Sequence, residues 1–422
     1  MFIFTFYNLN KTYWLFKRLK NKSLFKNNLI IDILSVMKRT ALLMVSLAVV
    51  GCAWSQNLSK PEAKCLQAFI SQPSAKGGSN AEALGFSGNN VANLPGVTVE
   101  NGHVTAIKWD KKDLGGILDL NNFPNLASLN VSDNKLSQLV VSNAPSLVVL
   151  NASKNRITEV TLEGVDQLQE LELNKNRISE INLGAIPLIK KINLSSNHLV
   201  ALDVSNAVNL VYLNVISNNL EELSVANCQS LKTLYAGYND LTGVTLSGLV
   251  KLENLNVQGN KIQNLYLQDL PALTSLACND NHMTNLTINN CNALSDVFAP
   301  YNDLTSFTVS NAPTLAFVNL EWNDLVNLYL NNQNFLQRLN VSYNQLQMLD
   351  VSFDPMLSYL NISNNINLTD LRSIGDNSLR QIVGDWTGLG LQEPAAMYGP
   401  GMGPGMPGQP DQIGPNPPME EE

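Results

Sequence analysis

The chain repeats itself every 21 residues. An apolar frame close to L-x-x-L-x-L/V-x-x-N-x-L begins at residue 126 and recurs at 147, 168, 189, 210, 231, 252, 273, 294, 315, 336 and 357, without insertion. The ninth residue of all twelve units is Asn: Asn134, Asn155, Asn176, Asn197, Asn218, Asn239, Asn260, Asn281, Asn302, Asn323, Asn344 and Asn365. A weaker unit, one residue longer, begins at Val104. One such unit cannot bury its apolar face alone. A fixed period of this size therefore implies stacked coils that share a continuous core.

The pattern within a unit sets its local structure. Alternation of Leu129 and Val131, and of their equivalents, puts every second side chain inside, as in a strand. The second half of the unit alternates too: Leu139 and Val141, Leu202 and Val204, Leu328 and Leu330. No 3.6-residue period appears there, so short extended segments are expected in place of helices. Asn143, Gly164, Asn206, Asn227 and Gly248 stand before the last apolar position. Asn and Gly tolerate the left-handed backbone of a sharp corner. Pro145, Pro187, Pro271, Pro313 and Pro355 close the same corner two residues later, where no donor is needed. The ninth-position Asn reads as a buried carboxamide that satisfies turn groups no strand reaches.

The frame resembles leucine-rich repeats, and its period resembles the 21-residue subclass of internalin-like bacterial surface proteins. The likeness covers about 104–371. It implies a β-rich solenoid: a curved right-handed coil with a parallel concave sheet and short extended segments on the convex side. At about 4.8 Å per coil its axis would run roughly 60 Å. It also implies an exported recognition protein that binds a host or bacterial surface protein through the concave face, with adhesion as the consequence. That subclass often carries Cys at the position of Cys278. Here Cys stands there once, so no cysteine ladder is expected.

The ends read differently. Residues 1–55 comprise an upstream extension and, from Met37, a secretory signal: Lys38 and Arg39, then the apolar run Ala41 to Val50. Two cleavage sites compete. Val49-Val50-Gly51-Cys52 would lipidate Cys52, while Ala53-Trp54-Ser55 would release the protein free. The expected locations are the outer membrane or cell surface as a lipoprotein, or the medium. Residues 56–103 are expected to cap the first coil, with Ser59 and Glu62 at capping-box spacing before an amphipathic helix. Residues 372–392 would close the other end. The Pro-, Gly- and Met-rich 393–422 cannot form a core.

Charge and chemistry exclude much. Residues 1–55 hold eight Lys/Arg and one acid. The remaining 19 Lys/Arg and 34 Asp/Glu leave residues 56–422 at a net charge of −15, which repels nucleic acid and anionic headgroups. The only membrane link expected is the possible lipid on Cys52. His103, His198 and His282 lie far apart along the repeat, and no nucleophile or phosphate-loop motif is present. Neither a catalytic activity nor a metal or cofactor is expected. Cys228, Cys278 and Cys291 fall on core positions. Cys228 and Cys291 are three coils apart, about 14 Å, which is too far for a disulfide. A monomer is expected.

Function must then reside in the exposed third, fifth, seventh and eighth positions. Eight fifth positions are Asn, among them Asn130, Asn193 and Asn340, either as a hydrogen-bonded row or as a polar surface. Aromatics at these positions occur only from residue 210 onward. The expected contact residues are Tyr235, Tyr238, Phe298, Tyr301, Phe317, Trp322 and Tyr343, because aromatics are enriched at interfaces. A second reading uses the same rings to stack on a glycan. A third makes the protein a structural envelope component. The early units instead carry Lys154, Arg156, Lys175, Arg177, Lys190 and Lys191.

Overall fold

The computed structural model describes residues 58–184, 186–330, 333–372, 379–385 and 389. The signal with Cys52, the 393–422 tail and most of the 372–392 closing segment lie outside the described residues. Below, coils 1 to 12 are the units that begin at 126 through 357.

One sheet of fifteen strands runs the length of the solenoid. Its first strand, β1 (Val97–Glu100), pairs antiparallel with β2 (His103–Lys108). From β2 onward each coil adds one parallel strand. The register advances by 21 residues: Leu129 lies beside Leu150, Leu255 beside Leu276 and Leu339 beside Leu360. The last strand, Gln381–Val383, pairs with Tyr359–Asn361. Leu129, Leu150, Leu171 and Leu213 are fully buried. They form a column through the core, as the alternation requires.

The other side of each coil is extended, as expected, but its pairing is interrupted. It forms four short sheets of two or three strands, for example Asn264–Gln268, Asn285–Asn289 and Ser306–Ser310. No strand forms at 180–184 or 243–247. One cause is visible in the side chains. Asn182 Oδ1 accepts from Gly184 N at 2.9 Å, and Asp203 Oδ1 accepts from Ser205 N at 2.8 Å. Such local bonds compete with the ladder and turn the chain early. Asn143, Gly164, Asn227 and Gly248 take the expected left-handed corner, with φ of 53°, 61°, 64° and 81°. Asn206 does not. In its coil Asp203 has already made the turn.

At the N-terminal end, helix α1 (Lys60–Ile70) buries Leu66, Phe69 and Ile70 against the first coils. The Phe69 ring stacks on Trp109 at 5.4 Å and 11°, and Trp109 Nε1 donates to Pro95 O. The expected capping box at Ser59 is absent. Ser59 makes no side-chain cap bond. Glu62 instead points inward, fully buried. It accepts from Val104 N at 3.0 Å, and its other oxygen lies 2.9 Å from His103 Nδ1. A buried carboxylate gains more from these partners than from a solvated helix end. The capping box that does form joins Ser79 and Glu82 at helix α2 (Asn80–Ala83).

Candidate binding surface

The ninth-position Asn fixes the turn that follows each strand of the long sheet. Asn239 Oδ1 accepts from Leu220 N at 3.0 Å. Its Nδ2 donates to Val215 O at 3.0 Å and Ala236 O at 3.1 Å. The same offsets recur at Asn176, Asn260, Asn323 and Asn344. Each amide therefore ties its own coil to the one before. Eleven of the twelve are buried, and Asn155 is half-buried. Asn134 makes the equivalent bonds to the longer first unit, through Leu114 N and Trp109 O.

The fifth-position Asn residues form no row of bonds between coils. Asn130 Oδ1 accepts from Ser132 N at 3.1 Å and Ser132 Oγ at 2.8 Å. Asn151, Asn193, Asn340 and Asn361 do the same within their own coils. Each is a local side-chain turn. It leads the chain into the eighth position, which the sequence did not mark as special.

All twelve eighth positions are left-handed, with φ between 52° and 62°. Gly, Asn and Asp suit that backbone; bulky side chains are strained there. Gly259, Asn364, Asp133 and Asp280 obey this preference. Lys154, Lys175, Tyr238, Tyr301, Trp322 and Tyr343 violate it. The conformation is held from outside, because the amide of each residue bonds the next coil. Tyr301 N donates to Glu321 O, Trp322 N to Ser342 O and Tyr343 N to Ser363 O, at 3.0, 3.0 and 2.8 Å. A left-handed residue so fixed projects its side chain from the edge where the strand turns away.

There Tyr301, Trp322 and Tyr343 form one stack. Tyr301 and Trp322 have centroids 6.1 Å apart and planes at 16°; Trp322 and Tyr343 are 4.1 Å apart at 8°. All three remain exposed, at 49%, 46% and 39%. Trp322 stands between the two tyrosine rings, closely stacked on Tyr343 and more loosely on Tyr301. Burial, then Glu321 and Asp280, push the Tyr301 phenol up. Asp303 and Asp324, also exposed, follow Asn302 and Asn323 in the same coils.

The other expected contacts are placed differently. Phe298 and Phe317 are half-buried on the long sheet in coils 9 and 10. Tyr235 and Tyr238 stand in coil 6, about 14 Å from coil 9. Tyr235 meets Tyr212 edge-on at 5.9 Å and 88°. Tyr238 lies over Gly259, where an added Cβ would stand 2.7 Å from the Tyr238 ring. The basic early residues divide as well. Lys190 bonds Gln169 and Lys191 pairs with Glu172 at 2.7 Å. Lys154, Arg156, Lys175 and Arg177 stand on the turn edge, with no acidic partner among the described residues. On the opposite side Tyr266, Tyr329, Phe335 and Phe353 are exposed, a set the sequence reading passed over. They fall outside the four positions it searched.

Among the described residues no three His, Cys, Asp or Glu side chains are grouped to hold a metal ion. Cys228, Cys278 and Cys291 are free and buried, and burial pushes the Cys228 thiol up to about 11. No helix of the described residues is long and apolar enough to cross a membrane.

The parallel sheet, the 21-residue advance and the Asn between coils define a leucine-rich repeat solenoid, and the unit fits the internalin-like subclass. No protein-family model matches the sequence, and no curated protein matches it. Solved structures do. YopM of Yersinia pestis, described as a leucine-rich effector protein, shares 22% identity and a TM-score of 0.51, over 68% of this chain and 87% of its own. A leucine-rich repeat protein of Leptospira interrogans shares 20% identity and a TM-score of 0.50, over 78% of this chain and 90% of its own. An internalin of Listeria monocytogenes shares 20% identity and a TM-score of 0.46, over 65% and 91%. At these identities the likeness is one of fold.

Proposed function

We propose that this protein is an exported, non-catalytic recognition module that binds a protein on a host or bacterial surface, with adhesion as the cellular result. The observation that supports this reading is the exposed stack of Tyr301, Trp322 and Tyr343. Stacked rings are already ordered, so little conformational entropy is lost when a partner covers them. Phe298 and Phe317 extend the apolar surface onto the sheet beside the stack. Export rests on the segment from Met37, with or without a lipid on Cys52. The glycan reading uses the same rings: a sugar stacks on a ring face, and Trp322 already gives one face to Tyr343.

The test is affinity capture from cell-surface extracts and from the producer's own envelope, read by mass spectrometry. A Tyr301→Ala/Trp322→Ala variant with intact folding serves as the comparison. A partner held by the wild type and lost by the variant supports the reading. Equal capture by both sinks it and shifts attention to the early coils. Release of the partner by soluble glycans alone would replace it with the sugar-binding reading.

A further inference from the structure

The turn edge of the eighth and tenth positions changes sign along its length. Coils 2 and 3 present Lys154, Arg156, Lys175 and Arg177. Arg156, Lys175 and Arg177 are exposed, and none of the four has an acidic partner among the described residues. Coils 8 to 10 present Asp280, Asp303 and Asp324 on the same edge, beside the aromatic stack. Of these acids, Asp303 has only the exposed His282 ring at 3.6 Å, and no basic side chain pairs with Asp324.

The spacing of the two sets matches. Arg156 and Arg177 are one coil apart, and so are Asp324 and Asp303. An object that meets all four at once must carry the same repeat as this chain. A second copy does so by construction, whereas an extended peptide at about 3.3 Å per residue does not.

We propose that two copies of this chain associate along this edge, antiparallel, about a two-fold axis through coil 6. One axis satisfies both arginine–aspartate pairings. Coil 2 then faces coil 10, and Arg156 of one copy meets Asp324 of the other. Coil 3 faces coil 9, and Arg177 meets Asp303. Coil 4 faces coil 8, where the exposed His198 lies opposite the exposed His282. Each pairing occurs twice, as two-fold symmetry demands. The aliphatic stems of Lys154 and Lys175 lie along the exposed edges of Trp322 and Tyr301. On the axis, Tyr238 meets its own counterpart. Asp240, two residues on, is already neutralised by Lys261 at 2.6 Å within its own chain, so like charges do not collide there.

The expected contact is narrow. Eleven coils at about 4.8 Å give a strip about 50 Å long. A strip one side chain wide buries roughly 1,000 Å² in total, near the lower limit for specific association. The dimer is therefore expected to be weak, in the micromolar range, and to loosen as salt rises. It goes beyond the foreign-ligand reading and does not depend on it, although both would compete for coils 9 to 11.

Sedimentation equilibrium of the full chain over a range of concentrations tests the proposal. The acidic variant Arg156→Glu/Arg177→Glu and the basic variant Asp303→Arg/Asp324→Arg should each self-associate at least about tenfold more weakly than the wild type. Mixed together they should form a heterodimer, because every reversed charge then faces its opposite. Tyr238→Cys should form a disulfide with its own counterpart under mild oxidation. A chain that stays monomeric at low salt and high concentration overturns the proposal. So does a dimer insensitive to both reversals, or one that Tyr238→Cys never cross-links. A monomer that still captures a foreign protein through Trp322 overturns this inference alone; a dimer that captures none overturns only the earlier one.

Discussion

Along the long sheet and its turn edge, coils 2 and 3 and coils 9 to 11 share one backbone and carry opposite surfaces. Lys154 and Trp322 occupy the same left-handed position, at φ 55° and 54°. Their amides donate to the next coil alike, to Asn174 O at 2.8 Å and Ser342 O at 3.0 Å. The ninth-position Asn behind each makes the same bonds. The scaffold therefore does not select what stands on it. Whatever separates a cationic edge from an aromatic one lies in the side chains alone, at positions the framework holds open at a constant strain.

The strongest way to break that comparison is to remove the shared framework. Asn176→Ala strands the Ile157 amide, while the carbonyls of Ala152 and Leu173 each lose one bond but keep Asn155 and Asn197 as donors. Asn323→Ala strands the Leu304 amide, while the carbonyls of Ala299 and Leu320 each lose one bond but keep Asn302 and Asn344 as donors. At about 1–3 kcal/mol for the buried unpaired amide and about 0.5–1.5 kcal/mol for each of the two lost bonds, either change should cost roughly 2–6 kcal/mol. Urea unfolding should give similar losses at both sites. A late Asn that costs far less would show that the two regions are not one scaffold.

A smaller effect belongs to the late end alone. Asp354 occupies the corner position held by Ala144 in coil 1 and Ala312 in coil 9. It is 4% exposed, and neither carboxylate oxygen has a hydrogen-bond partner. Burial, then Asp350, push its pKa up to about 7. A carboxyl raised in the folded state favours folding while protonated. Its contribution is complete below the ordinary value of 3.8 and is lost as pH climbs through about 7. Asp354→Ala should remove that pH dependence and gain about 2–4 kcal/mol at pH 8. Denaturant melts at pH 4 and pH 8 check this; an unchanged difference between the two pH values would refute it.

The smallest prediction compares the two edges directly. Lys175→Asn relieves a left-handed strain and should stabilise by about 0.5–1 kcal/mol. Trp322→Asn relieves the same strain but breaks two ring contacts worth about 0.5–1.5 kcal/mol each. Its net effect should be near zero or mildly destabilising. Thermal melts of the two variants side by side would sharpen how much the stack adds to the late coils.

The sequence displayed the coil plainly, because the Leu129-type column and the ninth-position Asn both depend on contacts one period away. The eighth position stayed hidden for a physical reason. Gly259, Asp133, Asp280 and Asn364 are its only residues with left-handed preference, and four of twelve do not announce a rule. The neighbouring coils impose the conformation on Lys, Tyr and Trp. Glu62 was misread for a similar reason. Its spacing from Ser59 fits a helix cap, but the Val104 amide and the His103 ring, some forty residues on, offer a buried carboxylate better partners. The aromatics were visible as residue types. Their division into a stack, a lone ring over Gly259 and half-buried sheet residues depends on which of four positions each takes.

Because every inter-coil bond of the ninth-position Asn spans a fixed offset, the solenoid works as a ruler graduated in single coils. Excising 21 residues between coils 4 and 8 would leave each remaining bond with an equivalent partner. It would bring the cationic and aromatic marks nearer by one graduation, about 4.8 Å. Distance between the two ends is thus an inheritable quantity, adjustable in whole steps without redesign of either surface.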